Sequence, residues 1–204
     1  MVDYRKAQTD FIENLSVSIL KELDIKAKRN NLECIGNVDI LVDNKIKVDV
    51  QYSQNFACYG DLRLDFISAY SKGLKGIGSS NIDIFKEFEK FYGLKVDKVG
   101  KYFQQDYLDA VMVLFYDYKF QQNQPDKMMI ISKQELLNYL SENIEKCFKN
   151  LKLNNKKNLG DTHGSAFLPI KVTDLKSRTN CFFDTIDNLK KVRDEIKIYL
   201  NQLN

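Results

Sequence analysis

The sequence predicts an α/β domain with a mixed β-sheet flanked by helices on both faces. Three observations carry that expectation. Residues 3–24 and 185–203 space their apolar side chains at threes and fours, as amphipathic helices do. Residues 37–52 hold two β-rich runs split by Asp43-Asn44-Lys45, a hairpin signal. Residues 109–116 (DAVMVLFY) and 128–131 are short continuous apolar runs, as expected of strands covered on both faces.

In the first helix Tyr4, Ala7, Phe11, Leu15, Ile19 and Leu23 make the stripe, and Glu13 and Glu22 read as solvated surface acids. The basic run 26–30 (KAKRN) reads as a connector, residues 32–35 as the start of an outer strand, and Gly36-Asn37 as a bulge or turn. After the hairpin, 54–60 reads as a loop. A helix is expected over 61–72, with Leu62, Phe66, Ala69 and Tyr70 on one side. The glycines of 73–80 (GLKGIGSS) fit neither a P-loop nor a dinucleotide fingerprint.

Ser80 or Asn81 caps a helix over 82–92 whose Ile84, Phe85, Phe88 and Phe91 read as core rather than a base-stacking platform. Ser132-Lys133-Gln134-Glu135 is a capping box opening a helix striped by Leu136, Leu137, Leu140 and Ile144. Residues 151–160 read as a mobile surface loop, and 166–172 as a strand that Pro169 confines to an edge. The last helix carries Leu189, Val192, Ile196 and Leu200. With no repeat and no linker, the expectation is a single domain over 1–204, with its core in 3–116 and an elaboration over 117–204.

Composition narrows the function classes. A chain of 204 residues with 44% apolar content can bury a full core. It holds no 18-residue apolar run for a membrane span, and its charged first segment lacks a signal peptide's apolar centre, so a cytoplasmic protein is expected. Cys34, Cys58, Cys147 and Cys181 lie far apart, which argues for reduced thiols rather than a zinc site. A net charge of +3 permits a phosphate-bearing partner without requiring one. His163, the one histidine, has no recognisable nucleophile beside it in sequence and reads as a loop residue.

The hairpin carries the chemistry. With a three-residue loop, Val42 pairs with Ile46 and Asp39 stands opposite Asp49, their Cβ atoms roughly 4.5–5.5 Å apart. Lys47 and Gln51 share the face of Asp49, leaving Ile40, Val42, Ile46, Val48 and Val50 on a continuous apolar face. A two-residue loop would set Asp49 against Val38 and mix the faces. Two adjacent carboxylates repel unless a proton or cation lies between them, and hard oxygen donors suit Mg²⁺. Gln51 can hydrogen-bond a water or a phosphate oxygen, and Lys47 is a candidate for phosphate contact.

Asp39, a hairpin and then Asp49-Val50-Gln51 resemble the D…(D/E)xK signature of the PD-(D/E)xK nuclease superfamily, whose core runs helix, three strands, helix, strand. The resemblance covers about residues 3–116. It implies a restriction-endonuclease-like fold and a metal-dependent endonuclease acting on double-stranded DNA, working as a homodimer to cut both strands. By the same resemblance Asp39 and Asp49 bind Mg²⁺ (or Mn²⁺), Gln51 takes the place of the lysine that positions the attacking water, Glu13 or Glu22 supplements the acids, and Arg63 either touches a phosphate or forms a surface ion pair with Asp61 or Asp65. Val38 stands where the family has proline. Two other readings stay open: an inactive nuclease-fold module that binds nucleic acid or protein, and an unrelated α/β protein whose aspartates are solvated edge-strand acids.

Overall fold

A computed structural model describes residues 4–30, 38–71, 83–100, 103, 108–119, 124–155 and 163–203. The chain is a mixed α/β protein that divides into two compact units. The first takes in residues 1–60, 107–136 and 173–204, and the second residues 61–106 and 137–172.

The first unit opens with helix α1 (Tyr4–Glu22), as its three-and-four spacing predicts. Strand β1 (Ala27–Arg29) follows, then β2 (Ile40–Val42) and β3 (Ile46–Ser53), a one-turn helix α2 (Phe56–Tyr59), and, after residues of the second unit, β6 (Ala110–Phe115) and β7 (Lys127–Ser132). Strand β10 (Cys181–Thr185), a 3-10 turn (Ile186–Asn188) and helix α7 (Arg193–Asn201) complete it. The six strands lie in the order β1-β2-β3-β6-β7-β10. Strand β6 runs parallel to β3, and every other pairing is antiparallel, so the sheet is mixed.

The hairpin has the three-residue loop. Val42 pairs with Ile46 and Ile40 with Val48. Asp43 and Asn44 both take left-handed φ (49° and 60°), which Asp and Asn tolerate better than most residues. One sheet face, with Ile40, Val42, Ile46, Val48, Met112, Leu114 and Ile130, is buried with Ile12, Leu20 and Leu23 of the α1 segment and Ile196 and Leu200 of α7. On the opposite face Phe56 of α2 packs against Phe115 and Phe183, centroids 4.5 and 6.1 Å away. All six β6 side chains are buried, as their unbroken apolar run requires.

The second unit is an antiparallel four-stranded sheet, β5-β4-β9-β8, built from β4 (Asp61–Ser71), β5 (Lys95–Val99), β8 (Lys152–Asn155) and β9 (His163–Lys171). Helices α3 (Asp83–Tyr92) and α5 (Ile144–Asn150) belong to it. Phe66 of β4 is fully buried among Phe85, Phe88, Phe103 and Phe148, with centroids 4.9–6.4 Å away. Helix α4 (Lys133–Glu142) carries the chain across the unit boundary, and α6 (Val172–Leu175) leads back.

Several sequence expectations are corrected. Residues 61–71 form a strand, not a helix. Leu62, Leu64 and Phe66 alternate as a strand should, but register shifts after Asp65 and Ile67 reset the phase, so Ile67 and Tyr70 are buried too and imitate helical spacing. Residues 152–155 are a strand rather than loop, because β9 supplies the main-chain partners their polar side chains do not advertise. Strand β9 lies inside its sheet. Yet β8 pairs only as far as Phe167, so Pro169 falls where β9 has β4 alone beside it.

Residues 181–185 extend the six-stranded sheet, so the closing helix begins at Arg193 rather than 185. Residues 27–29 are strand, where the basic run reads as connector. Phe91, expected in the core, is 61% exposed. Ser132 caps α4, its Oγ accepting the Glu135 N–H at 3.0 Å. Only half of the capping box forms, since the Ser132 N–H goes to the Asn180 carbonyl and the Glu135 carboxylate accepts from Arg178. The expectations for residues 32–37, 73–81 and 156–160, and for Cys34, lie outside the described residues. No helix among the described residues is long and apolar enough to cross a membrane.

Candidate active site

Register carries the hairpin acids toward one another. From Ile40↔Val48, one step along each strand brings Asp39 level with Asp49. Asp39 sits just before β2 begins, and its Oδ2 accepts the main-chain N–H of Val50 at 2.7 Å. Its own carbonyl accepts the Asn30 N–H at 2.9 Å, which ties the same point to β1. Asp39 is thereby gripped from both neighbouring strands while its side chain is only half-buried. Asp49 is 2% exposed, beside Val111 of β6. Gln51 follows on the same face, half-buried beside Val113.

Helix α1 adds a third acid. Glu13 is near enough to Asp39 for the two charges to act on each other. Its carboxyl is held above the usual carboxylate range, first by burial and then by the Asp39 charge, against the opposing pull of Arg29. Arg29, on β1, donates to Asp10 and to Glu13 at 2.6 Å each and fixes where Glu13 stands. Burial alternates here as in a strand, Ile25 and Ala27 buried and Lys26 and Lys28 exposed, but the basic run masks that period because small Ala27 is its one apolar side chain. Arg29, directly before the Asn30-Asn31 pair, reaches Glu13 from the strand that borders β2, a relationship set by tertiary pairing.

Lys47 lies on the face of Asp49, two residues before it, and its N–H goes to Asp109 Oδ2 at 2.7 Å. Asp109 in turn donates its N–H to the Lys47 carbonyl (3.0 Å), so this acid pins the start of β6 to β3. Glu22 does not join the cluster and pairs with Lys190 at 3.8 Å on the exposed end of α1. Arg63 belongs to the second unit, on strand rather than helix, with Nε 3.7 Å from Asp61. His163 opens β9 opposite Ser71, and its side chain lies outside the described residues.

The arrangement offers two strand carboxylates and a glutamine amide on or beside one sheet face, with a helix glutamate close to Asp39. Among the described residues no three His, Cys, Asp or Glu side chains form a ready-made metal cage. Two carboxylate donors with open positions nonetheless fit Mg²⁺, which takes one or two protein carboxylates and completes its shell with water and substrate phosphate oxygens. Compared with protein families, with curated proteins and with solved structures, the chain matches none.

Proposed function

We propose that this chain is a metal-dependent endonuclease with a restriction-endonuclease-like core, hydrolysing phosphodiester bonds of double-stranded DNA. The observation that carries the reading is the hairpin register, which brings Asp39 level with Asp49 and leaves Gln51 on the Asp49 face. The order of elements in the first unit supports it: a helix, three strands, a one-turn helix, then a strand parallel to the third.

Asp39 and Asp49 would hold Mg²⁺ or Mn²⁺, which supplies an acidified water and offsets charge building on the phosphate. The chain's own residues prepare that site. The Val50 N–H orients Asp39, burial keeps Asp49 from swinging into solvent, and Arg29 holds Glu13 at the margin. The Gln51 amide donates to and accepts from water or a phosphate oxygen, but it takes no proton. In the reaction a water oxygen forms a new bond to phosphorus, one P–O ester bond breaks, and the departing oxygen is protonated. Cutting both strands calls for two such sites, hence a homodimer.

The test is nicking of supercoiled plasmid by purified protein with Mg²⁺ or Mn²⁺. Cleavage lost in Asp49→Ala, with the circular dichroism spectrum retained, is the expected result. Cleavage that persists in Asp49→Ala, or that no divalent metal supports, would sink the reading. One observation favours a second reading, a nuclease-fold module that binds nucleic acid without cutting it: position 51 is glutamine, which cannot do a lysine's electrostatic work. DNA binding without cleavage under any metal selects it.

A further inference from the structure

The first unit carries an open cavity of about 430 Å³ at the end of α1, bordered by Lys21, Lys26, Lys28, Leu41 and Asn44. Its one acid, Asp24, is engaged by Arg193 at 2.7 Å. The three lysines are exposed, and among the described residues none has a carboxylate at ion-pair distance. Three ammonium groups gathered around one hollow repel each other, and an anion there relieves that repulsion.

Strand register relates this hollow to the proposed catalytic face. Lys28 pairs with Leu41 and Leu41 with Lys47, which puts the three in one row across β1, β2 and β3. Side chains two residues apart on a strand share a face, so this row lies on the side of Asp49, about 7 Å along β3 from it. Positive charge thus runs from the cavity through Lys28 and Lys47 toward the acids. A single small anion would occupy only one end of such a line. A polyanion with regularly repeated charge would follow all of it.

We propose that the cavity with Lys21, Lys26 and Lys28 binds the sugar-phosphate backbone of double-stranded DNA, on the flank of the bond presented to Asp39 and Asp49; this rests on the nuclease reading above. Lysines contact phosphates as point charges, without the planar fork that reads bases, so the contact positions DNA without selecting sequence.

The experiment measures affinity for a short fluorescein-labelled duplex by anisotropy, across a salt series and without divalent metal so that nothing is cut. Lys26→Glu/Lys28→Glu is compared with wild type and with Lys152→Glu, an exposed lysine of the second unit. The double variant is expected to bind at least about tenfold more weakly, with the slope of log K against log salt reduced by about 2. Lys152→Glu should change neither. If the double variant loses its circular dichroism signal, Lys28→Ala serves in its place, with a slope loss of about 1.

Unchanged affinity and slope overturn the proposal, as does wild-type protein that binds no duplex, or that binds single-stranded RNA in preference. The nuclease reading fails separately. Weakened binding by the double variant in a protein that no metal makes cut would keep the lysine site and remove the enzyme. Metal-dependent cutting with unchanged lysine-variant binding would do the reverse.

Discussion

Asp39 Oδ2 accepts the Val50 N–H at 2.7 Å, so the carboxylate proposed as a metal ligand also closes the open end of the β2–β3 ladder. The two roles separate by substitution. Asp39→Asn keeps an oxygen for Val50 and should leave stability within about 0.5 kcal/mol of wild type. Asp39→Ala strands that N–H and should cost about 1–3 kcal/mol in urea unfolding. Both should abolish metal-dependent nicking. An Asn variant as unstable as the Ala variant would show that the hydrogen bond is not what Asp39 contributes to the fold.

Glu13 gives a pH signature. Its carboxyl titrates higher in the folded chain than in the unfolded one, through burial and the Asp39 charge. The folded state therefore binds that proton more readily, and wild type loses stability as pH rises from the ordinary carboxylate range through the raised folded value. Glu13→Gln removes this loss. The unfolding midpoint of Glu13→Gln relative to wild type should move upward between pH 4 and pH 7. A difference that stays flat, or moves downward, contradicts the raised value.

Ser16 lies on the buried side of α1, 0% exposed, and its Oγ has no hydrogen-bond partner among the described residues. Replacing it with alanine removes a dehydrated hydroxyl and improves helix propensity. Ser16→Ala should stabilise the protein by about 1 kcal/mol in chemical denaturation. Destabilisation would mean that the hydroxyl has a partner after all.

In the second unit Gly100 is buried and donates its N–H to the Phe66 carbonyl at 2.9 Å. A Cβ on Gly100 would stand 1.7 Å from the Asp65 carbonyl oxygen, a main-chain atom that cannot step aside alone. Gly100→Ala should cost about 3 kcal/mol or more, read as a lower thermal midpoint. An unchanged midpoint would show that β4 can shift at its irregular register.

The thiols should react in a fixed order. Cys58 is exposed, whereas Cys147 is buried and burial, with the Glu135 charge, pushes the Cys181 thiol up to about 12. At pH 8 roughly one Cys181 in ten thousand is thiolate. Site-resolved mass spectrometry after brief iodoacetamide treatment should find Cys58 modified well ahead of Cys147 and Cys181. Labelling of Cys181 at the pace of Cys58 would refute that environment.

What could be read from the sequence was local and periodic. The α1 stripe, the apolar runs of β6 and β7, the Ser132 cap and the hairpin loop all follow from side-chain spacing and turn chemistry within a few residues. That was enough to bring Asp39 level with Asp49, because the register of a tight hairpin depends on its own loop and its own alternating faces. Tertiary structure decided what spacing does not encode. Strands β8 and β10 exist because a neighbouring strand satisfies their main chain, not because their side chains alternate cleanly. The register shifts of β4 turned its alternation into apparent helix, since each irregularity moves the following residues to the other face. The approach of Glu13 to Asp39 depends on packing α1 against the sheet and on Arg29 reaching back from β1. Contacts between residues that distant in the chain leave no periodic trace in the sequence.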